Sequence, residues 1–524
     1  MRVRTPACGR RRPPAVRITG LRAALPAWTA ALLVSLVAGS RAQAVVVRMT
    51  VTGTPTGRAL AANFVGLALE YNEIPSLAGA TPASVDPVFT QLLRNLDPSG
   101  RPILRIGGQS TDRVWWPVPG MTQPLGVTYD LTPSWATSAR TLAQATNSTL
   151  LLGVNLEANR TRIDQVEGAQ LVTRIGAGYI AALEIGNEPD LYSLVPWYRR
   201  LNGRPVPWYS QAGTPVFARA PTYGPQDFDQ EFSRTLRVLP RLPIAGPETG
   251  SAPWMGAFDR LLSRRSQLRI LTSHAYGLNQ CVTDPSSPAY PSVPDLLSEA
   301  ASRGVASGLA PYVALAHRDG ARYQIDEMGS VSCNGRPGVS NTLASALWVM
   351  DTLFTLAADG VDGVNLHTYP DSVNGLFDFA RVDGRWQGTV HPLYYGALMF
   401  TQAAPAGSRR LPINGGDQTA VRAWATVAPD HRIRVLVIND SLTRSALALV
   451  RTPVTPGPAS VKRLRAASAY ATGGITLGGQ SFGATTDTGL LPGPVPQDAV
   501  PRRGSYAVTL PAGSAALLTL PPTG

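Results

Sequence analysis

Ala181–Asp190, AALEIGNEPD, decides how the rest of the chain is read. The run through Leu183-Glu184-Ile185 reads as a short buried strand that stops at Gly186. Asn187, Glu188 and Pro189 follow in immediate succession. A carboxylic acid at the carboxyl end of a parallel strand, beside an amide and fixed by a proline, is placed for proton transfer. Such chemistry needs a second carboxylate. Tyr323–Ser330, YQIDEMGS, supplies one, because another apolar strand ends there on Asp326-Glu327.

Working outward, strands are expected at Asn63–Tyr71, Pro102–Gly107, Thr149–Leu156, Ala181–Gly186, Pro243–Gly246, Arg269–Ser273, Tyr323–Asp326 and Gly363–His367. Helical patterns fall between them at Pro87–Leu96, Ser134–Ala145, Pro253–Leu262, Pro294–Ala316 and Thr342–Ala358. Eight strands alternating with helices predict an α/β fold, a (β/α)8 TIM barrel over residues 58–404. A doubly wound open sheet is the rival, but GxGxxG and P-loop turns are absent. From residue 405 to 524 the texture becomes short alternating runs such as Thr419–Val427, Arg432–Asn439 and Ala515–Leu520, which predict a C-terminal β-sandwich. Val45–Val51, within residues 45–57, is a lone strand before the barrel and is expected to join that sandwich.

The chain has 524 residues with 44% hydrophobic content, enough for a large core and more than one domain. Its formal charge of +13 invites a polyanion or nucleic-acid reading. Eight arginines and no acid lie in the first 44 residues, however, and removing that segment leaves +5. The remaining arginines are spread thinly, which argues against a nucleic-acid partner. Residues 1–44 read as a secretory signal: a basic start, the apolar stretch Ala27–Val37, and Ala42-Gln43-Ala44 as a cleavage site. The expected localisation is therefore secreted, with no stable membrane span in the mature chain. Beyond residue 44 only Cys281 and Cys333 remain, one candidate disulfide in an oxidising compartment.

Glu188 ends the fourth strand and Glu327 the seventh, so both should open on one face of the barrel. Two carboxyls across a small mouth suit glycoside cleavage, one protonating the leaving oxygen while the other stabilises or attacks the anomeric carbon. Either acid alone reads as an ordinary surface or salt-bridged group. Arg105, on the second strand, could hold a carboxylate ionised or serve a structural ion pair. His274 and Tyr276 follow the sixth strand, and the tyrosine hydroxyl could bond the nucleophile, while His274 could equally be a satisfied buried histidine. Glu70 and Asn72 end the first strand, and Asn365, His367 and Tyr369 end the eighth. Each of these could bind sugar hydroxyls or simply pack. No metal or other cofactor is implied, because the histidines lack ligand spacing and two cysteines give only two sulfurs. A G-x-S-x-G elbow for a serine hydrolase is also missing.

The segments ILRIGGQSTD, LEIGNEPD, GPETG, SHAYG and IDEMGS through GVSNTLASALWVMD, in that order, resemble glycoside hydrolase family 79. That family holds β-glucuronidases and heparanases, and the match spans roughly residues 63–404. The resemblance implies a retaining enzyme with Glu188 as acid/base and Glu327 as nucleophile. It also implies Asn187 on the sugar 2-hydroxyl, Tyr276 holding Glu327, and Glu70 as an acidic sugar-binding residue. His367 stands where the mammalian heparanase pattern has a glutamine. The SxxCNG segment after Glu327, and the lack of clustered lysines, favour an exo-acting β-glucuronidase over a heparanase-like endo enzyme. A xyloside or arabinoside hydrolase would share the same acids. A carbohydrate-binding protein on a dead glycosidase scaffold is the non-enzymatic alternative.

Overall fold

The computed structural model describes residues 44–522, apart from 99, 256–266, 417–419, 455, 456, 494 and 496. The segment read as an export signal therefore lies outside the described residues, apart from Ala44. So does most of the expected helix Pro253–Leu262, of which Ala252–Met255 is seen.

The barrel closes from eight parallel strands in chain order: Val65–Glu70, Ile103–Gly107, Thr149–Val154, Ile180–Ile185, Ile244–Thr249, Leu268–Asn279, Arg322–Ser332 and Gly363–His367. The eighth pairs back onto the first, with His367 opposite Ala68. All eight coincide with expected strands, because each carries a short apolar core buried on both faces. Helices Pro87–Leu96, Pro133–Thr146, Thr161–Ile175, Pro225–Leu236, Val305–Arg318, Leu343–Ala358 and Pro392–Ala403 pack around it. Several start on proline, whose missing N–H costs nothing at a helix N-terminus. The expected helix 294–316 is interrupted. Val293–Leu296 is separated from Val305–Arg318 by a π-helical turn at Ala300–Gly304, where Trp348 Nε1 takes the Ala301 carbonyl at 2.8 Å.

The fifth, sixth and seventh strands run three to six residues further than the sequence suggests. Register shifts occur at Gly246/Thr249, Ser273/His274 and Ile325/Met328, all at the mouth. Bulges of this kind re-aim side chains beside a site. His274, Tyr276 and Glu327 consequently lie within strands rather than after them, with His274 paired to Glu327 and Tyr276 to Gly329.

The C-terminal module is two packed antiparallel-rich sheets. Val45–Val51 lies between Ile413–Gly415 and Ala446–Arg451, parallel to the latter, with Val45 opposite Ala446. Ile433–Asn439, IRVLVIN, is buried on both faces. Val435 and Val437 face the sandwich core. Leu436 and Ile438 join the barrel's cluster instead. Trp424 stacks on Phe354 at 5.3 Å and donates to Asp351 Oδ1 at 2.8 Å. Among the described residues no helix is long and apolar enough to cross a membrane.

Candidate active site

The mouth is organised around a buried guanidinium. Arg105, fully buried on the second strand, donates Nε to Glu184 Oε2 (2.9 Å) and Nη1 to Glu327 Oε2 (2.8 Å). Its Nη2 donates to Asn187 Oδ1 (2.8 Å) and Glu248 Oε2 (2.6 Å). A buried cation is tolerable only with such pairing. Gly107 leaves it room, since a Cβ there would lie 2.6 Å from Arg105 Nε. The sequence also offers Arg105 as a substrate contact, but the fully buried guanidinium instead supports the site from beneath, helping to hold the Glu327 carboxylate ionised within a buried ion-pair network.

Glu188 is held from several sides. Its backbone sits in the left-handed region at φ +48°, a strained choice for a glutamate and one that clusters at functional sites. Its N–H donates to the Glu248 carbonyl at 2.8 Å. Its carboxylate meets His274 Nδ1 at 3.1 Å and Gln109 Nε2 at 3.2 Å. Gly250 is required alongside, since a Cβ there would approach Glu188 Oε1 to 2.6 Å. Asn187 is fixed through its N–H to Asp112 Oδ2 at 3.0 Å, and Tyr192 Oη donates to the same oxygen at 2.7 Å.

Glu327 faces a different environment. Tyr276 Oη donates to its Oε1 at 2.6 Å. His367 Nδ1 lies 3.2 Å from the same oxygen and His274 Nδ1 3.7 Å. Burial pushes this carboxyl up, but the imidazoliums of His274 and His367, with Arg105, outweigh it and hold Glu327 well below the usual carboxylate range. The same attraction acts on His367. Burial lowers it, yet Glu327 and Glu70 carry it up to about 10. His367 Nε2 lies 3.2 Å from Glu70 Oε1, and Ser110 N–H donates to Glu70 Oε2 at 2.8 Å. Because His274 Nδ1 is 3.1 Å from Glu188 Oε1 and 3.7 Å from Glu327 Oε1, those two oxygens are at most about 6.8 Å apart.

Not every candidate reaches this cluster. Asn365 is buried one layer deeper, against Gly66, where a Cβ would sit 2.3 Å from its Oδ1. Asn72 is exposed, whereas its neighbour Glu73 is buried and accepts the Glu70 N–H. Burial carries the Glu73 carboxyl to about 8. Tyr369 lines the rim, with Oη 3.5 Å from Asn334 Oδ1 and its ring 5.1 Å from that of His367. Cys281 and Cys333 are free, exposed thiols rather than the expected disulfide. Cys333, at φ +58°, donates its S–H to Asn279 Oδ1 at 3.4 Å beside the Cys281 thiol. Sequence reading passed over Glu184, Gln109, Asp112 and Glu248. All four stood in segments already singled out, Gln109 and Asp112 in ILRIGGQSTD, Glu184 in LEIGNEPD and Glu248 in GPETG, but nothing local marked them as partners of the site.

Glu248, His274 and Asp326 bring one ligand-type atom each within 4.8 Å of one another. Arg105 and His274 are themselves the cations there, so the group reads as an ion-pair cluster rather than as metal ligands. A closed parallel barrel carrying two glutamates across its carboxyl-end mouth, one held ionised and the other beside an amide, defines a glycoside hydrolase. Comparison with known proteins agrees. Residues 423–517 match the family described as "Glycosyl hydrolase family 79 C-terminal beta domain". A β-glucuronidase of Aspergillus niger is 24% identical over 489 residues, covering 80% of this chain and 82% of that protein. The solved structure of a 4-O-α-L-rhamnosyl-β-D-glucuronidase from Fusarium oxysporum 12S matches with TM-score 0.68 at 20% identity, covering 90% of this chain and all of that one. A family 51 arabinofuranosidase from Xanthomonas axonopodis pv. citri matches at 0.62 and 15% identity, covering 91% of this chain and all of that one. By these matches the chain is similar to glycoside hydrolase family 79, through the family's C-terminal domain over residues 423–517 and through a β-glucuronidase relative over most of its length.

Proposed function

We propose that this protein is a secreted, exo-acting β-glucuronidase that works by double displacement. Glu327, held ionised, attacks the anomeric carbon while Glu188 protonates the leaving oxygen. Glu188 then takes a proton from the water that opens the glycosyl-enzyme ester, and glucuronate leaves with its configuration retained. The separation capped at about 6.8 Å supports this over most of the 6.5–9.5 Å range that an inverting enzyme needs for its water. Tyr276 orients the nucleophile, and Asn187 and Glu70 bind sugar hydroxyls. The carrying observation is the charge asymmetry: three cations converge on Glu327, whereas Glu188 meets only one of them.

The substrate carboxylate needs donors that the catalytic acids have not already taken. His367 has both nitrogens engaged, by Glu327 and Tyr276 on one side and Glu70 on the other. Within the Val373–Gly375 loop, the Gly375 N–H already donates to the Ser372 carbonyl, and Asn374 is bonded to Ser330 and Val331. Tyr369, with the turn at Cys333-Asn334-Gly335 beside it, is the group left for the carboxylate. The test is a panel of aryl β-glucuronide, glucoside, xyloside and arabinoside with the purified protein, followed by NMR of the first product. Preference for the glucuronide with retained configuration is expected. Preference for a neutral sugar would refute the substrate, and an inverted product the mechanism.

A further inference from the structure

Glu248 belongs to none of the roles above, yet it touches both halves of the machinery. It stands near the end of the fifth barrel strand at φ +62°, with its side chain fully buried. Its backbone carbonyl accepts the Glu188 N–H at 2.8 Å. Its Oε2 accepts from Arg105 Nη2 at 2.6 Å and lies 3.1 Å from His274 Nε2. From Arg105 the contacts continue to Glu327, and from His274 to Glu188. The other oxygen, Oε1, and both oxygens of Asp326 are buried without a hydrogen-bond partner among the described residues.

His274 is thus enclosed by acceptors. Nδ1 faces Glu188 from the fourth strand (3.1 Å) and Glu327 from the seventh (3.7 Å). Nε2 faces Glu248 from the fifth (3.1 Å) and Asp326 from the seventh (3.9 Å). Asp190 and Arg105 are the further charged groups nearby, Asp190 tied to Ser251 and the Gly250 N–H. Only the doubly protonated ring offers a donor at both nitrogens.

The geometry points to Glu248 as a positioning residue that, through His274, fixes the charge beside the acid/base Glu188. This rests on the assignment of Glu188 made above. While Glu248 accepts from Nε2, the imidazolium is locked in place with its Nδ1 against the Glu188 carboxyl. Burial alone would discharge His274, but Glu327, Glu188 and Glu248 hold it protonated well above its ordinary range. Without the Glu248 acceptor, the ring releases its Nε2 proton more readily and the positive charge beside Glu188 is no longer fixed.

The experiment follows the imidazole nitrogens by 15N NMR in the full chain without substrate. The His274 signals are assigned by difference from His274→Asn among the five histidines. Wild type, Glu248→Gln and Glu248→Met are compared across pH 5–10. The Met variant keeps length but offers no acceptor oxygen, and its His274 midpoint should fall by about one pH unit or more. The Gln variant keeps an oxygen but no charge and should fall in between, a partial rescue that packing alone does not produce. In parallel, the alkaline limb of kcat/KM should depart from that of wild type in the same order. Identical His274 midpoints in the three proteins overturn the inference, as does a drop in kcat with an unmoved alkaline limb. Should Glu248→Met fail to fold, Glu248→Gln decides alone, and an unmoved midpoint in that folded variant is refuting. A wild type that hydrolyses no aryl glycoside would strike at the two-glutamate reading instead, since the NMR readout needs no turnover.

Discussion

Replacing His367 by glutamine removes a buried cation from between Glu327 and Glu70 while keeping an amide donor of similar reach. His367 is raised from 6.5 to about 10. A shift of that size corresponds to roughly 5 kcal/mol of native-state stabilisation when fully expressed. The folded value lies above the unfolded one, so the contribution is complete below pH 6.5 and is lost as pH rises through about 10. A new amide hydrogen bond recovers about 1 kcal/mol, leaving a deficit of about 3–4 kcal/mol near pH 6. That agrees with the cost of breaking a buried ion pair, about 3–5 kcal/mol. The assay is urea unfolding of wild type and variant at pH 6, 8 and 10. The gap should be widest at pH 6, fall by about half near pH 8 and nearly vanish at pH 10. Activity provides the second readout. Glu327 loses an adjacent cation, its proton affinity rises, and the acid limb of kcat/KM moves to higher pH. A stability gap constant from pH 6 to 10 would refute the charged His367, and an unmoved acid limb would refute its action on Glu327.

Glu327→Ala should abolish turnover, whereas Glu188→Ala should retain activity on substrates with activated leaving groups and be rescued by azide; absence of rescue counts against the acid/base assignment. Gly250→Ala drives a methyl to within 2.6 Å of Glu188 Oε1, so the rate should fall about 10-fold or more on phenyl glycosides and far less on dinitrophenyl ones. Equal losses on both leaving groups would mean a general distortion. Tyr369→Phe should cost about 10-fold more in kcat/KM with a β-glucuronide than with the matching β-glucoside, and parity between the two sugars would move the carboxylate contact elsewhere.

The sequence by itself determined the barrel and the two glutamates. Strands such as Val65–Glu70 (VGLALE) and Thr149–Val154 (TLLLGV) are near-continuous apolar runs, and that one-dimensional signal survives without knowledge of neighbours. Gly186 and Pro189 bracket Glu188 with backbone punctuation that local chemistry alone can read. The N-terminal strand Val45–Val51 was likewise legible from alternation, since it covers one sheet face with Val47, Met49 and Val51. The polar layer was not, because its meaning lies in contacts between residues far apart in the chain. Arg105 and Glu327 are 222 positions apart, and Glu248 meets Arg105 across 143. No period or spacing records such a meeting. The bulges at Ser273/His274 and Ile325/Met328 also lie beyond sequence reading. Strict strand alternation would send Asp326 and Glu327 to opposite faces, whereas the shifted register brings both carboxyls to His274. Tertiary structure alone decided which acids share a cation, because burial and charge pairing are properties of the assembled mouth.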